Sequence, residues 1–131
     1  MKDINYGYQR TVSLSFQSVD QKIRDALKDV GFGVITEIDL KETFKEKLDL
    51  KFKPYKIFGA CNPKLAIDAI NLDHKVGLLM PCNVIFWQND DKTVTISFIS
   101  AETQLSNTNN DKLIQIGQKV DNMISNAIQS I

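Results

Sequence analysis

Two cysteines stand in matching local contexts, Gly59-Ala60-Cys61-Asn62-Pro63 and Met80-Pro81-Cys82-Asn83. Cys61 lies just ahead of an expected helix start, where unpaired amides and the positive end of the helix dipole stabilise a thiolate and could make it reactive. Free cysteine is also among the most buried residue types and packs as a small hydrophobe, and that structural role weighs more heavily for both, most of all for Cys82 inside an apolar run. Pro81 interrupts that run, and a break in strand pairing there leaves backbone groups free to meet a ligand or the Asn83 side chain. A zinc site wants four ligands at short spacings; two cysteines 21 positions apart and a single His do not supply it, so no metal ligands are expected. Two thiolates brought together by folding could still hold a soft ion such as Cu(I). A disulfide requires their Cα atoms to approach within about 7 Å, which spacing leaves open.

The only imidazole, His74, sits in the polar corner Asp73-His74-Lys75 and is expected to be a solvated turn residue. Glu37 follows Val34 and Ile35 on an expected strand. If it points inward, burial raises its pKa; the alternation of Val34, Thr36 and Ile38 against Ile35, Glu37 and Asp39 favours an outward side chain. From Lys41 to Lys56 six lysines face Glu42, Glu46 and Asp49, a local charge of 6 − 3 = +3. Without a Gly-rich phosphate loop, this reads as a solvated helix face. No dinucleotide fingerprint, nucleophile elbow, P-loop or metalloprotease motif is present.

The elements that must position these residues follow from periodicity. Tyr6, Tyr8, Val12, Leu14 and Phe16 alternate with polar residues, predicting a first strand. Ser18 and Gln21 read as a capping box opening a helix through Val19, Ile23, Ala26, Leu27 and Val30 that Gly31 stops. A strand over Gly33–Asp39 leads into a short charged helix aligning Leu40, Phe44 and Leu48. A strand over Tyr55–Ala60 precedes a helix capped by Asn62 with Pro63 at its first position. Gly77–Gln88 reads as a strand covered on both faces, with a bulge or break at Pro81. The turn at Asn89–Lys92 makes it a hairpin with Thr93–Ser100. A polar loop over Ala101–Asn110 then feeds a long helix from Asp111, with Leu113, Ile116, Val120, Met123, Ile124, Ala127, Ile128 and Ile131 on one stripe, whose apolar excess predicts a dimer. The expected fold is α+β: two layers, with a mostly antiparallel five-stranded sheet, helices on one face and a long C-terminal helix.

With 131 residues, 16 Lys plus Arg against 16 Asp plus Glu, and 43% apolar residues, one domain spanning residues 1–131 with a real core is expected. Balanced charge argues against a sequence-independent grip on nucleic acid. No apolar run reaches the ~18 residues of a membrane span, and Met1 to Asn5 lack a signal core, so no membrane partner and a cytoplasmic location are expected. The two cysteines fit that compartment as thiols.

The chain resembles the family grouped as domain of unknown function 302. The match runs through Gly31-Phe32-Gly33-Val34, Thr36-Glu37-Ile38-Asp39, Lys45-Glu46-Lys47-Leu48, the two cysteine segments with Leu65-Ala66, and Gly77-Leu78-Leu79 leading into Met80. One departure is Ala101-Glu102-Thr103, where family members often carry Asp-Pro. The resemblance implies a compact β-α-β(4)-α fold and a homodimer, with no established activity and no known cofactor. It raises Cys61, Asn62, Cys82, Asn83 and Glu37 as a candidate ligand-binding set. Three functions are then open. The first is a homodimeric module binding a small ligand near Cys61 and Cys82, the second a thiol-dependent enzyme using Cys61 with Cys82 as resolving partner, and the third a purely structural dimer.

Overall fold

A computed structural model describes all of residues 1–131. The elements in chain order are β1 (Lys2–Ile4), β2 (Gly7–Val12), α1 (Phe16–Asp29), β3 (Gly33–Asp39), α2 (Leu40–Leu48), β4 (Tyr55–Cys61) and α3 (Pro63–Leu72). A 3-10 segment (His74–Leu79), β5 (Cys82–Gln88), β6 (Val94–Ile99), α4 (Ala101–Ser106) and α5 (Asp111–Gln129) complete the chain. The strands form one sheet in the order β1-β2-β6-β5-β4-β3, with every neighbouring pair antiparallel.

Period-two alternation puts Phe58 and Ala60 of β4, Val84 and Phe86 of β5, and Val94, Ile96 and Phe98 of β6 on one face. There they pack with Val19, Ile23, Ala26 and Leu27 of α1 and with Val120, Ile124, Ala127 and Ile128 of α5. The opposite face carries Tyr55 stacked on Trp87 at 5.8 Å, with Ile57 and Ile85 beside them, all four only half-buried. None of the helices is long and apolar enough to cross a membrane.

The α+β class and the antiparallel sheet match expectation, but the sheet has six strands rather than five. The added β1 is a three-residue edge strand paired to β2, too short to show alternation. The first strand ends at Val12 and not at Phe16. Ser15, rather than Ser18, caps α1, its Oγ accepting the Ser18 amide at 3.1 Å, and this turns Phe16 into the helix, where it stacks on Phe86 at 4.7 Å. The run from Gly77 is not all strand. Asp73 caps a 3-10 turn through Leu79, Val76 packs into a second cluster with Ala69, Leu105 and Leu113, and β5 begins only after the cis Met80-Pro81 peptide.

The expected loop over Ala101–Asn110 contains α4. Its first turn is held from outside: Asp121 of α5 accepts the Ala101 amide at 2.6 Å, the Ser100 hydroxyl at 2.7 Å and the Glu102 amide at 3.3 Å. Gly117 lets the two helices approach, since a Cβ there would lie 2.8 Å from the Ala101 oxygen and from the Glu102 Cα.

Candidate functional site

Register brings the two cysteine segments together. Ala60 pairs with Cys82 across β4 and β5, so Cys61, the last residue of β4, lies diagonally opposite the first residue of β5. Both thiols are free and line the same cavity of about 280 Å³ at this end of the sheet. Asn62 launches α3 over it, its Oδ1 accepting the Leu65 amide at 3.1 Å with Pro63 behind it in the first helical turn. Leu65, Ala66, Ala69 and Ile70 of α3 roof the space, while Leu79, Met80 and Pro81 form one wall. Phe32, Ala60 and Ile99 contribute from the sheet end, and Gln104, Leu105 and Ile116 from α4 and α5.

The two thiols differ in surroundings. Cys82 belongs with the main core, and its thiol is pushed up to about 11, first by burial and then by the negative charges of Asp121 and Cys61. At neutral pH it is a thiol, not a thiolate. Cys61 is half-buried beside the Asn62 cap.

Of the five candidate residues, Cys61, Asn62 and Cys82 line the cavity, whereas Asn83 and Glu37 do not. Asn83 is exposed and pairs with Gly59, one pleat away from Cys82 and hence on the opposite face of the sheet. Glu37 departs from its expected orientation because a β-bulge between Val34 and Thr36 shifts the alternation by one residue and turns it to the face of Phe58. There it is neither buried nor free. At 40% exposure it accepts Arg24 at 2.8 Å and Lys56 at 3.0 Å, and both cations also bind Asp20 at 2.8 Å. Burial pushes the Asp20 carboxyl up, but hydrogen bonds from Arg24 and Lys56 outweigh it and hold the group below the ordinary carboxylate range. The Arg24 guanidinium lies 4.4 Å from the Phe58 ring centre, so this network seals the rim of the core.

Leu79 and Gln104 also belong to the cavity, and no sequence signal marks them. Leu79 falls within the expected strand over Gly77–Gln88 and Gln104 within the expected loop over Ala101–Asn110, and neither carries a local pattern that points to a cavity. His74 is exposed at the start of the 3-10 segment and lies outside the cavity lining.

The architecture defines a two-layer α+β domain whose antiparallel sheet is backed by helices on one face, with an apolar cavity at the sheet end beneath α3. The chain belongs to the family described as "Domain of unknown function DUF302", whose model matches residues 8–131. The same fold is seen in the crystal structure of an uncharacterized conserved DUF302 protein from Bacillus stearothermophilus. That structure is similar at a TM-score of 0.89 and 24% identity, over 96% of this chain and 98% of that one. No curated protein matches the chain.

Proposed function

We propose that the chain acts as one domain over residues 1–131 and is a homodimeric binding module whose small ligand occupies the cavity between α3 and the starts of α4 and β5. The observation that carries this reading is the convergence of Cys61, Asn62 and Cys82 on one apolar space with few polar groups, the usual chemistry of small-molecule pockets. The thiol-enzyme alternative gains less support, because a resolving Cys82 would have to act from a thiol pushed up to about 11. Asn83 and Glu37 have no part in this reading.

Native mass spectrometry of freshly purified protein tests it, followed by thermal-shift screening of metabolites and of Cu(I). A bound adduct or a ligand-induced rise in Tm is expected. An empty protein with no shift across the screen overturns the binding reading and leaves the thiol enzyme and the purely structural dimer.

A further inference from the structure

Resting on the binding reading, we propose that the cavity beneath α3 takes an uncharged, largely hydrocarbon molecule of roughly ten to twelve carbon atoms, because no charged side chain lines it and its volume is about twice that of a cavity that holds benzene. The volume is about 280 Å³, against roughly 150 Å³ for the engineered benzene site. Its surface is built from Phe32, Leu65, Ile70, Leu79, Met80 and Ile116. No Lys, Arg, His, Asp or Glu is among the lining residues, so a carboxylate or ammonium entering would lose its hydration without meeting an opposite charge.

The carboxylate whose charge reaches Cys82 does not change this. Asp121 has its carboxylate oxygens engaged by Ser100, Ala101 and Glu102, and it is not part of the lining. Polar capacity at the wall is small. The Asn62 Oδ1 is taken by the Leu65 amide, which leaves the Asn62 amide nitrogen, the Gln104 side chain and the weakly hydrogen-bonding thiols of Cys61 and Cys82 to meet one hydroxyl or carbonyl group of a ligand. Entry also has an apolar threshold: Ile35 and Ile70 line the cavity and are at the same time 60% and 37% exposed. A hydrocarbon entering past these two side chains meets apolar surface at the mouth.

The test compares decanol, decanoate and decylammonium at neutral pH by thermal shift and titration calorimetry, on the wild-type protein and on Ala66→Phe, which fills the space under α3. Decanol is expected to raise Tm by about 5 °C at roughly ten times its Kd, to bind more than about tenfold tighter than either ion, and to lose binding in Ala66→Phe. Binding of decanoate or decylammonium as tight as decanol, lost in Ala66→Phe, overturns the uncharged class and leaves the binding cavity standing. Decanol binding unchanged in a folded Ala66→Phe variant places the site elsewhere and overturns the inference. No binding of any of the three overturns the inference, whereas adducts or shifts from other compounds would keep the binding reading alive. If Ala66→Phe does not fold, iodoacetamide labelling of wild-type Cys61 replaces it: saturating decanol is expected to slow alkylation, and an unchanged rate overturns the inference.

Discussion

Cys61 and Cys82 are the same side chain one strand apart, yet their surroundings divide their chemistry. A thiol raised from the ordinary 9.0 to about 11 holds roughly a hundredfold less thiolate at neutral pH. Timed iodoacetamide labelling with peptide mapping is therefore expected to modify Cys61 first and Cys82 only after denaturant is added. Equal rates in the native protein would contradict the burial of Cys82. Asp20 supplies a pH dependence of opposite origin. Its folded-state pKa is depressed, so its contribution to stability is present above the ordinary carboxylate range and is lost as pH falls through the lower, folded value. Asp20→Asn is expected to lower stability at neutral pH by about 1 kcal/mol and to flatten the acid limb of a urea-midpoint profile. An unchanged acid limb would show that Arg24 and Lys56 do not hold this carboxylate in solution.

At the scale of elements, α4 exists because α5 holds it. Ser100 caps its first turn and Asp121 takes two of its leading amides, while Gly117 removes the side chain that would keep the two helices apart. Gly117→Ala is expected to destabilise the protein by about 1–3 kcal/mol despite the better helix propensity of alanine, because the new methyl meets backbone rather than a flexible side chain. Denaturant unfolding measures this, and a gain in stability would show that α4 can move without cost. The bulge in β3 has a similar reach: by shifting the alternation it sends Glu37 to the Arg24 and Lys56 pair and leaves Ile35 exposed at the cavity mouth.

The whole molecule exposes more surface than its mass requires. The chain has 7,891 Å² accessible, against roughly 7,000 Å² for a compact monomer of this size. Part of the excess is apolar: the half-buried Tyr55 and Trp87 stack on each other and share with Ile57 and Ile85 the sheet face away from α1 and α5, and Ile38, 47% exposed, pairs with Ile57 on the neighbouring strand. The α5 stripe that the sequence offers as a dimer face is instead packed into the core, so we propose that the homodimer forms through this sheet face, with a second copy covering it. Light scattering at tens of micromolar is expected to report a dimer, and Trp87→Arg to give a folded monomer. A wild-type monomer at that concentration would defeat the proposal.

Local chemistry was sufficient for much of this. Asn62 with Pro63, Asn110 before the last helix and the alternation through β6 are set by neighbours within a few residues, so periodicity and capping located α3, α5 and the final hairpin from the amino-acid order alone. The two cysteine segments were also legible as a pair worth watching. What distant contacts decide was not legible. A three-residue strand, a bulge that reverses the facing of Glu37, and a helix capped by a carboxylate some twenty residues downstream leave no local pattern. The cavity belongs to this second group, since empty space arises from how α3, α4 and the ends of the strands fail to fill one another's gaps, and packing of that kind is a property of the assembled chain.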